Sequence, residues 1–151
     1  MKKKVIILGG GYSKERSISL KSAKAVIKSI KNRYNVKLAD PCNNFFKIIE
    51  SFKPDVIFNA LHGRFGEDGY IQSILETLRV KYTHSGVKSS MLAMDKEISK
   101  KIFLKNKILT PKYIKVNNNI KDLNYNKIKR YLGYPVVIKP INEGSSLDVF
   151  I

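Results

Sequence analysis

The chain has one cysteine in 151 residues, so no disulfide can close within it, and a lone thiol fits a reducing compartment. Nothing around Cys42 marks it as a nucleophile, and it reads as structural. Long apolar runs are also missing. No stretch approaches the ~20 apolar residues of a membrane span. Met1-Lys2-Lys3-Lys4 has the charge of a secretory leader, but the apolar run after it, Val5 to Leu8, is far shorter than the ~7–15 residues of a signal core. No membrane partner and a cytoplasmic location are the expectation. Acids are scarce too, 12 against 29 Lys and Arg, which leaves a formal net charge of +17. Arginine is scarcer still: Arg16, Arg33, Arg64, Arg79 and Arg130 are the whole set. Base reading and phosphate forks favour Arg, and the lysines are spread along the chain. We therefore read solvated lysine faces and no nucleic-acid partner, with a modest attraction for anionic substrates.

What is present alternates between strand and helix. Val5 to Leu8 reads as a buried strand ended by Gly9-Gly10-Gly11. A helix from about Ser13 to Ile30 follows, with Leu20, Ala23, Ile27 and Ile30 on one face. Asn35 to Ala39 suits a second strand, Phe45 to Phe52 a short helix, and Val56 to Leu61 a third strand. Ile71, Ile74, Leu75 and Leu78 stand at i, i+3, i+4 and i+7, the clearest amphipathic helix in the chain. Lys81 to Thr83 is extended. This order implies an α/β fold, a parallel sheet flanked by helices. Near residue 95 the order changes. A Lys-rich helix spans Asp95 to Lys107, Lys112 to Val116 looks like a strand, and Asn117-Asn118-Asn119 like a loop. Ile128, Tyr131 and Leu132 mark another helix, stopped by Gly133. Val136 to Lys139 and Leu147 to Ile151 look like strands around a loop from Pro140 to Ser146. The expected organisation is an α/β domain over residues 1–94 and the beginning of an α+β domain over 95–151.

Four segments carry chemistry. In Gly9 to Ser17, glycines after the first strand let a ligand approach the sheet's carboxyl rim. Lys14 stands where the dinucleotide fingerprint needs a third Gly. The plainer reading is a tight turn, with Ser13 capping the helix and Glu15 favouring its dipole. The second segment, Ala60 to Gly69, holds three glycines, His62, Arg64, Glu67 and Asp68 in ten residues. His62 suits donation to a carboxylate or proton shuttling, and His62 and Gly63 read as functional. Glu67 and Asp68 suit the start of the next helix equally well. The third runs from Tyr82 to Val87 and on to Asp95-Lys96, where Lys96 is either a solvated lysine or a phosphate contact. In the fourth, Lys139 ends an apolar strand, where a charge is costly without a partner. Glu143, Gly144, Ser145 and Ser146 then offer backbone N–H groups and hydroxyls that can fold over a phosphate. No Walker loop is present.

These four segments, in this order, resemble D-alanine–D-alanine ligase, of the ATP-grasp group. The segment Gly10 to Leu20 is similar to that family's first-strand signature. Leu61-His62-Gly63 with Gly66-Glu67-Asp68-Gly69 is similar to its second, the most specific. Tyr82 to Val87 with Asp95-Lys96, and Val137 to Pro140 with Glu143 to Ser146, match the third and the grasp loop. The resemblance covers the whole chain and the first half of the family's length. It implies a pre-ATP-grasp domain followed by an incomplete ATP-grasp domain. It implies that Glu15 and Ser145 belong to a network holding the first D-alanine's ammonium group, with His62 and Gly63 near its carboxylate. It implies that Lys96 and Lys139 bind ATP phosphates, and that Glu143, Gly144, Ser145 and Ser146 form the loop over the γ-phosphate. ATP and Mg2+ (or Mn2+) are the implied cofactors, with the metal ligands and adenine contacts beyond residue 151. A homodimer is implied as well. Asp148 stands where the family commonly has Gly, which adds a negative charge near the phosphates.

The implied reaction has two steps. One D-alanine carboxylate attacks the γ-phosphate to give an acyl phosphate, and a second D-alanine's amine displaces phosphate. Two other readings are open on the sequence: a ligase joining D-alanine to D-lactate, and a basic domain that binds nucleotide or nucleic acid without catalysis.

Overall fold

The computed structural model describes residues 1–116, 124–144 and 148–151. They form two compact units, Met1–Met94 and Asp95–Ile151.

The first unit is built on three parallel strands, β1 (Lys4–Leu8), β2 (Asn35–Ala39) and β3 (Val56–Asn59), in the order β2-β1-β3. Ile7 of β1 is in register with Leu38 on one side and Phe58 on the other. A central parallel strand is covered on both faces, which is why its apolar residues run together instead of alternating. Ile6, Ile7 and Leu8 are fully buried. Val5 and Ile7 pack with Ala23, Val26 and Ile27 of α1 (Arg16–Ile30). Ile6 and Leu8 pack with Phe45 and Phe52 of α2 (Phe45–Phe52) and with Ile71 and Leu75 of α3 (Tyr70–Thr77). Helices therefore cover both faces of the sheet. Tyr82 adds a single parallel bridge to Ile57. β3 ends at Asn59 instead of Leu61, because the Asn59 side chain takes the N–H of Leu61 and turns the chain away from the ladder.

Two further features of this unit differ from expectation. α1 begins at Arg16, and its N-cap position belongs to Glu15, not Ser13. The Ser13 hydroxyl instead accepts from the Glu15 N–H two residues on and donates to the His62 carbonyl, so it staples the glycine turn to the neighbouring loop. A further helix, α4 (Val87–Met94), has no counterpart in the elements expected from sequence. Its residues have weak amphipathic spacing, and tertiary packing decides it: the α3 N-terminus at Gly69 lies close against Val87 and Met91.

The second unit holds α5 (Lys96–Lys105) and α6 (Tyr125–Tyr131). Asp95 caps α5 by accepting from the Ile98 N–H at 2.8 Å, and Asn124 caps α6 by accepting from the Lys127 N–H at 2.9 Å. Asp95→Ala should cost about 1 kcal/mol of α5 stability, read as faster amide exchange at Ile98 and Ser99; unchanged exchange would show that the cap contributes nothing.

The strands expected in this unit are only partly formed. Lys112 to Val116 is extended but joins no ladder among the described residues; Lys100 reaches across to Thr110 and Pro111, and Lys115 pairs with Glu97. Val136 to Lys139 and residues 148–151 contribute one antiparallel bridge, Ile138 with Phe150, and Leu147 lies outside the described residues. An isolated pair of short strands is marginal without a third strand or an apolar cover. Val137, Ile138 and Phe150 are all exposed. The Asn117-Asn118-Asn119 loop lies outside the described residues, and so do Ser145 and Ser146.

Candidate active site

At the carboxyl rim of the sheet, one face of α1 carries Glu15, Ser19 and Ser22. Their i, i+4, i+7 spacing puts three polar groups in one stripe. That stripe meets residues 60–63 almost residue for residue. The buried Ser19 hydroxyl donates to the Ala60 carbonyl at 2.8 Å and accepts from the Gly10 N–H at 2.9 Å. Ser22 Oγ lies 3.0 Å from His62 Nε2. Glu15 packs against Gly63, and a Cβ on Gly63 would come within 1.9 Å of Glu15 Oε2.

Glu15 is 2% exposed, and neither of its carboxyl oxygens has a hydrogen-bond partner among the described residues. Buried polar groups are nearly always paired, and a buried charge without a partner is costly. An unpaired carboxyl of this kind is suited to a donor or a cation. Beside it, Glu67 accepts from the Gly63 N–H at 2.7 Å, and Asp68 accepts from the N–H groups of Phe65 and Tyr70. Glu67 thus fixes the loop, while Asp68 both holds the left-handed Phe65 and takes the N–H of Tyr70, the first residue of α3, whose N-cap is Gly69. A groove of about 140 Å³ opens nearby, lined by Gly11, Ser13, His62, Arg64, Phe65 and Tyr70, among others. Neither Glu15 nor Gly63 lines that groove.

Arg16 and Asp40 pair at 2.5 Å on the same rim. Burial works to raise the Asp40 carboxyl, but the bonds from Arg16 and from the N–H groups of Cys42 and Gly11 outweigh it and hold its pKa below the usual value. Burial and the adjacent Asp40 push the Cys42 thiol up, which agrees with a structural reading of that residue. His84 sits edge-on to Phe58 and bonds Thr83 through Nδ1 at 2.7 Å.

In the second unit, Lys96 is half-buried and donates through Nζ to the carbonyls of Ile141, at 3.2 Å, and Glu143. Burial pushes its ammonium below the ordinary value, and the neighbouring Lys139 charge adds to that. Two cations are thus gathered at one loop, an arrangement that favours an anion. Lys139 itself is exposed. The strand it was expected to end contributes a single bridge, and the charge is met by solvent. Glu143 and Gly144 are half-buried in the turn that Lys96 tethers. Asp148 has φ +52, the left-handed backbone that glycine favours. Among the described residues no three His, Cys, Asp or Glu side chains gather to hold a metal ion, so none is assigned to magnesium.

The family model for the D-ala D-ala ligase N-terminus matches residues 39–85, the stretch holding His62 and Gly63. The whole chain is 65% identical to a D-alanine–D-alanine ligase of Pelagibacter ubique and spans 50% of it. The chain matches the amino-terminal half of D-alanine–D-alanine ligases. A D-alanine–D-alanine ligase from a Wolbachia of Brugia malayi is 48% identical over 97% of the chain, which spans 42% of that relative. Among solved structures, the Bacillus anthracis D-alanine–D-alanine ligase matches 98% of the chain with 37% identity and a TM-score of 0.79, and the chain covers 48% of it. The same enzyme complexed with ATP matches at 34% identity and a TM-score of 0.77, over 93% of this chain and 48% of its own. The chain spans about half the length of the relatives it matches, and in the ligase family it corresponds to the amino-terminal half.

Within the family frame, the α/β reading of the fold holds. The structure brings Glu15, His62 and Gly63 together in the first unit, and Lys96, Lys139 and Glu143 in the second. Sequence reasoning missed Ser19 and Ser22. The available signal was their helical spacing from Glu15, which the search for an apolar face passed over.

Proposed function

We propose that this chain provides the amino-terminal half of an ATP-dependent ligase that joins two D-alanines through an acyl phosphate, for peptidoglycan precursor synthesis in the cytoplasm. The observation that carries the reading is the buried, unpartnered carboxyl of Glu15 held against Gly63 beside His62. Such a group is suited to an ammonium-bearing substrate. Residues 1–94 form the pre-ATP-grasp, substrate-binding domain, and 95–151 begin the ATP-grasp domain. Exposed apolar residues of the second unit, Phe103, Leu104, Ile108 and Leu109, suit a layer that packs against more chain.

In this reading Glu15 holds the first D-alanine's ammonium through a hydrogen-bonded network that Ser145 completes, and His62 donates to the substrate carboxylate. Lys96 and Lys139 bind ATP phosphates as point charges, and Glu143, Gly144 and Ser146 belong to the loop that keeps water from the acyl phosphate. Magnesium, when bound, neutralises phosphate charge; its ligands belong to the other half of the family's length. The active protein is a homodimer that takes D-alanine and ATP and no nucleic acid.

D-alanine titrated into the chain is expected to shift the backbone amide signals of Ser13, Glu15 and Gly63, with L-alanine as the control. No shift with D-alanine, or an equal shift with both, would refute the substrate site. The chain alone is expected to show no D-alanine-dependent ADP release in a coupled assay, and release would overturn the division of the active site between two halves.

A further inference from the structure

We propose that Ser22 is a positioning residue that fixes the tautomer of His62, holding its ring proton on Nδ1. Its consequence for substrate, that Nδ1–H faces the D-alanine carboxylate, rests on the function proposed above.

A neutral imidazole has one donor and one acceptor nitrogen, and the partner of one decides the state of the other. Ser22 Oγ lies 3.0 Å from Nε2. A hydroxyl can serve as either donor or acceptor, so its own commitments decide the direction. Serine and threonine hydroxyls inside a helix usually donate back to a carbonyl three or four residues earlier. Ser51 does so to Lys47, Ser73 to Tyr70, and Thr77 to Ser73. Ser22, in the middle of α1, makes no such bond among the described residues, and its one partner is the His62 ring. Its hydrogen is therefore available to Nε2. With that hydrogen given to Nε2, the proton of the neutral ring sits on Nδ1.

The backbone that carries the ring is held in place. The His62 carbonyl accepts from Ser13 at 2.7 Å, and Ser19 donates to the Ala60 carbonyl two residues earlier. The segment therefore cannot slide along the stripe without losing these bonds, and Ser22 is the contact of the ring itself. A carboxylate meeting the other tautomer would face a lone pair and be repelled. The hydroxyl of Ser22 thus converts a ring that can present either nitrogen state into one that presents a donor.

Long-range proton–nitrogen correlation spectra of the chain in mildly alkaline buffer test this, because protonated and bare ring nitrogens resonate far apart. His84, the only other histidine, is removed by His84→Gln for assignment. His62 should show a protonated Nδ1 and a bare Nε2. Ser22→Ala should turn this into a mixture of tautomers, and Ser22→Thr, which keeps the hydroxyl, should restore it. A merely structural role for Ser22 leaves the ring state unmoved. D-alanine affinity, read from the Gly63 amide, should fall about fivefold in Ser22→Ala. A wild-type ring protonated on Nε2, or a ring state unchanged by Ser22→Ala, overturns the inference whatever the ligand does. A tautomer that switches with no change in D-alanine affinity upholds the role of Ser22 and overturns the placing of His62 at the carboxylate. The wild-type spectrum alone decides the direction of the bond should the Ala variant fail to fold.

Discussion

Glu15→Gln is expected to make the first unit more stable and its hold on D-alanine weaker. The side chains are nearly the same shape, so packing changes little. The difference is that a carboxyl, 2% exposed with both oxygens unpartnered, becomes an amide that can carry no charge. Burying an uncompensated charge costs several kcal/mol, and a neutral polar group costs less. A gain of about 1–3 kcal/mol follows, which in a unit of this size is a rise in Tm of about 4–8 °C per kcal/mol. The loss appears when substrate is present. Removing one member of a buried charge pair typically costs about 2–5 kcal/mol of binding, so D-alanine affinity should fall roughly 100-fold. Residues placed for function often cost stability in this way. Thermal denaturation with and without D-alanine measures both halves of the expectation. A Gln variant that melts below the wild type would show that Glu15 is an ordinary structural acid with a partner in solution.

The sequence displays apolar pattern openly and polar pattern poorly. Val5 to Leu8 declares the central strand because a strand covered on both faces has no polar side to alternate with. Phe45 to Phe52 and the helix around Ile71 and Leu75 are bounded by their own spacing and by Pro54 and Gly69. Asp95 announces α5 because an Asp at the start of a helical run has one obvious use. The stripe of Glu15, Ser19 and Ser22 has the same periodicity, yet each of its residues has an innocent surface reading. Only the position of residues 60–63 in space makes them a set. Ser13 misleads for a related reason: a hydroxyl beside a helix start suggests a cap, and the competing acceptor, the His62 carbonyl, is 49 residues away. The strands around Lys139 fail differently. Val136 to Ile138 has the composition of a strand, but a ladder needs a partner along its length, and composition cannot supply one. Lys139 stands exposed beside that single bridge. Family resemblance names Glu15 and Lys96 where pattern alone leaves both open, and gives a role to His62, which its own segment already marks.

Gly63→Ala should be the most damaging single-methyl change at the site. Gly63 has φ +67, where a side chain costs about 1 kcal/mol or more. The steric cost is greater. The new Cβ would lie 1.9 Å from Glu15 Oε2 and 3.0 Å from Glu15 Cδ. The Glu15 carboxyl is enclosed and cannot swing into solvent without unpacking the start of α1. Together these should destabilise the first unit by about 2–4 kcal/mol. Gly11→Ala separates the backbone cost from the steric one. Its φ is +81, but its nearest neighbour would be Leu61 Cδ2 at 3.2 Å, the yielding end of a flexible side chain. It should cost about 1 kcal/mol, from backbone strain alone. The Glu15→Ala and Gly63→Ala double variant completes the cycle. With the carboxyl gone the methyl group has room, so the double variant should be more stable than the sum of the single changes requires, by about 1–2 kcal/mol. Denaturant unfolding of the wild type, the two single variants and the double variant measures this directly. Strictly additive costs would mean that Glu15 and Gly63 do not touch in solution, and the stripe on α1 would then have lost the contact that places its carboxyl beside His62.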